Sequence, residues 1–535
     1  MRLVFDNFMG AIPRLLPEKL PLTHAAESLN SVVEDGLCKP LKGLGASMGV
    51  TLTPGTKTLY HYPVGAGFWL SFNDDADVVL SPISGNNEGR VYWTRPSAVP
   101  QMSVFDIIAT AAPYPSASYD LGVPRPTAAP VATVTGTLNP SATVDEIVGL
   151  IYVQTYVSAY GEESQPSPIS ETVEVGPGQA VNLSIPGTGP GGNRDIQFKR
   201  IYRDDGGLGY KFVVEIPVAT TTYTDNAQPY TIQGADLETW EWDTPPAGLL
   251  GLTSLANGVT AGFVDNVVYL SEPLRPHAMP SIYRQRFTYD VVGLASFSQG
   301  AIVLTREKPF LLVGSDPLSM QQIEIDHDQG CVSKASIVDA GEYAIYAGPN
   351  GLSVVGAQGA RLITGGLWET EQWKALNPES IRGFLWKGWY VGFYDNGTER
   401  GSFMIPVNTV DHVVFTELTV DAAFVKPGES NLTVASADTL RLWDEGANLV
   451  QTRRTKVVEF NGDSVFTALR VRAESYTDTV VEVWLNGVLH ATKTPTNDGM
   501  MRMPAKRCRN LQLKITGSDV VRAVELAGNP WELGA

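Results

Sequence analysis

VYWTRPSAVP (Val91–Pro100) and VYLSEPLRPHAMPSIY (Val268–Tyr283) share a Val-Tyr strand end and an Arg-Pro-x-Ala-x-Pro turn. The turn residues are Arg95, Pro96, Ala98 and Pro100 in one stretch and Arg275, Pro276, Ala278 and Pro280 in the other. A chain that writes one corner twice, about 180 residues apart, reads as two copies of one unit parted by an insertion. The fold follows from what flanks the two corners and what lies between them.

Around the corners the apolar pattern has period two. TLYHYPV, GFWLSF, DVVLSPI and GRVYWT precede the first, and GFVDNVVYLSEP, AIVLTREKPFLLVG, YAIYAGPNGLSVVG, WYVGFYDNGTERGSFMIP and TLRLWDEGANLV accompany and follow the second. These are short strands bounded by Gly, Asn, Asp and Pro, the pattern of serial hairpins. Stacking such sheets radially as blades covers both faces of each and protects its edges. Between the corners, the Pro/Ala/Thr stretch LGVPRPTAAPVATVTG (Leu121–Gly136) marks a stiff border. Longer alternating strands follow it, with a tight turn at Asp205-Gly206-Gly207, until Thr244-Pro245-Pro246. From about Gln451 a further set of alternating strands carries an Asn486-Gly487 hairpin turn.

The expected fold class is all-β: a β-propeller interrupted by an inserted fibronectin III/Ig-like β-sandwich, with a C-terminal β-sandwich platform. The boundaries read 1–123 for the N-terminal segment and first blades, 124–246 for the insert, 247–445 for the remaining blades and 446–535 for the platform. One helix is expected near the start, with Thr23 as N-cap and Ala26, Leu29 and Val33 at helical spacing.

The chain has 535 residues, 52 Gly and 36 Pro, and it is too long for one core. Its net charge of −18 argues against a surface built to grip nucleic acid. The charge is uneven, since residues 441–535 hold 13 Lys/Arg and 11 Asp/Glu. Cys38, Cys331 and Cys508 are odd in number and far apart, which fits buried thiols of a chain made in a reducing cytosol rather than a disulfide framework. MRLVFDNFMG lacks the basic start and apolar core of a secretion signal, and no run of 18 apolar residues is present to span a membrane.

Glu324-Ile325-Asp326-His327-Asp328-Gln329-Gly330-Cys331 is the most enzyme-like stretch. In a strand, Asp326 and Asp328 would face away from His327; in a loop the three could hold a cation, and Cys331 could pair with His327 as a nucleophile. A polar loop between sheets is the simpler reading. Asp74-Asp75-Ala76-Asp77 has half of a calcium loop without its glycine or distal glutamate. Gly189-Pro190-Gly191-Gly192 and Gly206-Gly207-Leu208-Gly209 read as turns, not phosphate cradles. Asn182, Asn396 and Asn431 head glycan-acceptor triplets that carry no weight without a secretion signal. Lys506, Arg507 and Arg509 form a short basic patch suited to an acidic neighbouring protein.

GAIPRLLPEKLPLTHAAESLNSVVEDGLCKPLKG (Gly10–Gly43), with Pro13, Pro17, Asn30, Gly36-Leu37 and Lys39-Pro40, resembles the opening of tail tube and nozzle proteins of short-tailed bacteriophages. The stretch from Tyr269 to Tyr283, VVGLASFSQGAIVLTREKPFLLVGSDPLSM and CVSKASIV with YAGPNGLSVV are similar to text of phage virion proteins. The resemblance covers the N-terminal segment and most of residues 247–395. It implies a non-enzymatic structural subunit of the virion tail, without cofactor, assembled as a six-fold ring below the head-to-tail adaptor and beside tail fibre or spike proteins. Double-stranded DNA would pass along the ring axis without sequence-specific binding, and an acidic wall would repel it rather than hold it. The alternative is a tail adhesin whose inserted sandwich binds the host surface. A propeller hydrolase would need a second carboxylate cluster to partner Asp326 and Asp328, and the sequence offers none.

Overall fold

The computed structural model describes residues 1–83, 88–187 and 189–533. Among them the chain is almost entirely β, and its longest helix is Thr370–Lys374. It folds as two compact units, one of residues 1–75, 302–311 and 323–535, the other of 76–301 and 312–322.

The second unit contains both copies of the corner. Asp77–Leu80, Val91–Thr94, Gln101–Ser103 and Tyr119–Asp120 form one antiparallel meander. Leu250–Ser254, Thr260–Val264, Val267–Leu270 and Gln285–Arg286 form another. Each corner closes with the same bond, from the Ala98 amide to the Arg95 carbonyl (3.3 Å) and from the Ala278 amide to the Arg275 carbonyl (3.0 Å). Their places in the sheets differ. The first links strands two and three of its meander and the second links strands three and four, so they are not one loop of a repeated blade. The cause is local: Arg-Pro with proline's fixed φ suits any antiparallel reversal, wherever it falls in a sheet.

Residues 124–246 contribute two sheets with one shared core. Val131–Gly136, Gln179–Ser184 and Thr222–Asp225 make the three-stranded sheet. Val173–Val175, Val148–Ser158, Ile196–Asp205 and Tyr210–Pro217 make the four-stranded one, in that spatial order. Leu150, Tyr152, Val181, Leu183, Ile201 and Ile216 from both sheets pack in a single cluster. Within it, buried Arg203 is matched by Asp205 (2.8 Å) and Asp225 (2.7 Å), and Tyr152 donates to Asp225. The expected turn is present, with Gly206 and Gly207 at φ of 64° and 88°.

In the first unit, Val338–Asp339, Tyr343–Gly348, Gly351–Gly356 and Gly359–Leu362 form a meander of their own. Arg382–Trp386, Trp389–Asp395, Arg400–Pro406 and Val414–Thr416 form the next, which continues into Ala25–Leu29, Gln451–Thr455, Arg507–Gly517, Val480–Leu485 and Val488–Lys493. A six-stranded sheet combines Ser31–Glu34, Leu37–Pro40 and Arg2–Phe5 with Val521–Ala527, Ala468–Ala473 and Met501–Arg502. Strands after residue 446 are thus completed by strands from the first 40 residues. Phe5, Val32, Leu469, Val483, Leu513 and Val524 share their core. Asn486 and Gly487 (φ 52° and 74°) make the expected hairpin turn, both at the positive φ that a type I′ turn requires.

The helix expected after Thr23 is absent. Ala25–Leu29 and Ser31–Glu34 are strands, broken by Asn30 at φ 53°, whose side chain bonds the Val450 carbonyl (3.2 Å) and the Glu417 amide (3.1 Å). Pairing with Gln451–Thr455 overrides the weak helical spacing.

Candidate functional site

The enzyme-like stretch does not assemble into a reactive site. Residues 325–328 lie beyond the strand Gln321–Glu324. Lys308 takes both Asp326 (3.0 Å) and Glu324 (3.2 Å), and these bonds, Asp326's first, raise the lysine's pKa. The His327 Nε2 meets the Ser353 hydroxyl at 3.0 Å, and partial burial lowers the imidazole's pKa. Cys331 is buried, its thiol donates to the Ser333 carbonyl, and burial pushes it up to about 12. Histidine and thiol therefore serve different partners, and among the described residues no group of His, Cys, Asp and Glu is placed to hold a metal. Asp75 pairs with Lys334 (2.9 Å), while Asp77 accepts the Gly251 amide (2.7 Å).

The basic patch is found at the surface. Alternation along Arg507–Gly517 turns Cys508 into the core and Arg507 and Arg509 outward, with Lys506 exposed just before the strand. Asp463 approaches Arg509 at 3.3 Å and Arg507 at 3.8 Å. Both arginine side chains remain 80% exposed, so this ion pairing leaves their charge available to a partner. All three cysteines are buried and unpaired.

A second cluster, invisible in the sequence, surrounds the borders of residues 124–246. The Leu121 amide donates to the Pro100 carbonyl (2.8 Å), and the Gly248 amide to Ala98 (2.9 Å), both acceptors lying in the first corner. The second corner takes the return: the Met279 amide donates to the Asp243 carbonyl (2.7 Å), and the Trp242 ring lies against Arg275 (4.8 Å) and, edge-on, against His277 (5.6 Å). The two corners share this task. Opposite them, Arg90 donates from Nε to Glu88 (2.6 Å) and from Nη2 to the Tyr160 carbonyl (2.6 Å), with its guanidinium over the Tyr160 ring.

Two buried titratable groups lie in this cluster. Glu162 is 3% exposed, and burial pushes its carboxyl up to about 7. Burial lowers His277 to about 3, so its ring is neutral. Among the described residues neither Glu162 Oε1 nor His277 Nε2 has a hydrogen-bond partner. Beside them a cleft of 560 Å³ is lined by Val123, Arg125, Gln165, Trp242, Asp243 and Arg284. Gln165 and Arg284 both bond the Asp243 carboxylate, at 3.0 and 2.8 Å. Among the described residues the cluster contains no nucleophile paired with a base; its contacts are those of a clamp. The adjacent acids of AYGEES gave no sign of this, because Glu163 is satisfied by Arg200, Tyr202 and Thr155 while Glu162 is not.

No family model and no curated protein matches the chain. Similar solved structures include Hsv2 of Kluyvelomyces marxianus (13% identity, 48% of this chain and 68% of that one, TM-score 0.24). An exo-β-1,3-galactanase of Phanerochaete chrysosporium aligns at 12% identity over 74% of this chain and 100% of that one, TM-score 0.19. The dihydro-heme d1 dehydrogenase NirN aligns at 10% identity over 71% and 79%, TM-score 0.26. At such scores none of these likenesses carries an argument about this chain.

Proposed function

We propose that the protein is a non-enzymatic structural subunit of a short-tailed phage tail, a nozzle or hub component that assembles with its own copies into a ring below the head-to-tail adaptor. In this reading the serial meanders are blades of a propeller, residues 124–246 an inserted fibronectin III-like sandwich, and the strands after 446 a platform. The observation that carries it is burial. Antiparallel strands usually leave one face in water, yet Tyr343–Gly348 and Gly351–Gly356 are buried along almost their whole length, as blades covered on both faces must be. The resemblance of Gly10–Gly43 and of residues 247–395 to phage tail text supplies the biological setting. A chain of −18 suits the wall of a DNA conduit, which must not hold phosphates. The exposed Lys506, Arg507 and Arg509 then serve a contact with an acidic neighbour.

Negative-stain microscopy and mass photometry of the purified chain test this. The expected result is a six-fold ring, weakened by the double variant Lys506→Glu, Arg507→Glu. A monomer at every concentration, alone and with adaptor, would overturn the reading.

One observation favours an adhesin as the second reading. The outer face of the three-stranded sheet in 124–246 presents Val131, Thr133, Asn182, Ser184, Thr222 and Thr224, uncharged in a strongly acidic chain, around a hollow of 340 Å³. Binding of host envelope by the monomer, abolished by charge substitutions on this face, would favour that reading over the ring.

A further inference from the structure

The walls around Glu162 come from two segments. Its own loop follows Val148–Ser158, and the Ser158 hydroxyl accepts its amide at 3.2 Å. The facing wall is the start of the strand Val91–Thr94, which brings Arg90, Glu88 and Tyr92 toward the carboxyl. The cation there is already committed, because Arg90 holds Glu88 and the Tyr160 carbonyl. Glu88 adds repulsion instead of neutralisation. Tyr119 and Asp195 face the neighbouring Tyr160, and Arg275 and Trp242 enclose the neutral His277. A bare carboxylate in this position would be buried, with one oxygen unsatisfied, beside a cation spent elsewhere.

We infer that Glu162 is a proton-controlled latch between residues 124–246 and the 77–120 sheet, closed while the carboxyl carries its proton and loosened when the proton leaves. The bonds it secures between the two are those from the Asp120 amide to the Asn193 carbonyl (2.7 Å) and from Arg90 to the Tyr160 carbonyl (2.6 Å). With the latch open, Glu162 faces water and titrates near the ordinary 4.5; with it closed, burial holds the group near 7. The docked pKa is raised, so the contribution to docking is complete below the ordinary value and disappears as pH rises through about 7. A rise of this size corresponds to roughly a hundredfold change in the docked-to-open ratio across that window. His277, neutral throughout, takes no part in the titration.

Hydrogen exchange of the full chain between pH 4.5 and 8, corrected for intrinsic rates, reads the latch at the amides of Asp120, Leu121 and Gly248. The expected result is protection that falls by roughly a hundredfold between about pH 4.5 and 7 at these amides and levels off above, while the core strand Leu513–Ile515 stays unchanged. In Glu162→Gln the profile should be flat, with protection at pH 8 matching that of the unaltered protein at about pH 4.5. A flat profile in the unaltered chain would overturn the latch without reference to any variant. A Glu162→Gln protein that keeps the transition would overturn it too, by assigning the proton to another group.

Discussion

At the scale of single residues, Arg453 shows how a fold can retain a charge at a cost. Its side chain is fully buried, with the guanidinium over the Phe8 ring and one bond from Nη2 to the Thr23 carbonyl (2.6 Å). Nε and Nη1 have no partner, and burial pushes the group down to about 10. Among the described residues no carboxylate bonds this guanidinium, so its desolvation is offset only by Thr23 and the Phe8 ring. Arg453→Met keeps the length and the contact with Phe8 while removing the charge. It should therefore raise stability by about 1–3 kcal/mol in urea unfolding, because the lost bond costs at most about 1 kcal/mol and the Thr23 carbonyl still accepts the Met9 amide (2.9 Å). A net loss would mean that the lone bond to Thr23 outweighs desolvation. The burial of the three cysteines was legible from their number and spacing. The unmet charge of Arg453 was not, because it depends on Phe8 and Thr23, the latter 430 residues away in the chain.

Among elements, the strand Arg382–Trp386 is defined by a side chain it lacks. A Cβ on Gly383 would lie 2.3 Å from the Tyr390 Oη and 2.6 Å from the Ser336 carbonyl, which are themselves hydrogen-bonded at 3.0 Å. Gly383→Ala must break that bond or shift the strand. The expected cost is about 1–3 kcal/mol, read as a lower urea midpoint at unchanged slope. Hairpins were legible because their signals are local: Asn486-Gly487 and Asp205-Gly206-Gly207 both turn where the sequence places them. The segment after Thr23 was misread for the opposite reason. Its five-residue strand is too short to show a period, and its partner Gln451–Thr455 is remote. The repeated Arg-Pro corner was legible as a turn but not as a position in a sheet. The clamp it forms on Trp242, Asp243 and Gly248 follows from tertiary placement alone.

For the whole molecule, the governing fact is that strands near one end of the sequence complete sheets written near the other. Arg2–Phe5 pairs with Val521–Ala527, and Ala25–Leu29 with Gln451–Thr455. Residues 446–535 expressed alone should therefore fail to fold, giving a narrow amide proton spectrum. Adding a peptide of residues 1–43 should restore dispersion at least in part, whereas a well-dispersed spectrum of the fragment alone would contradict the shared core. This interlocking also imposes a timetable on biosynthesis. Arg2–Phe5 is translated about five hundred residues before its neighbour in the sheet, so the apolar Leu3, Val4 and Phe5 wait uncovered over that interval. A chaperone occupying that stretch until release would be a natural companion of the nascent chain.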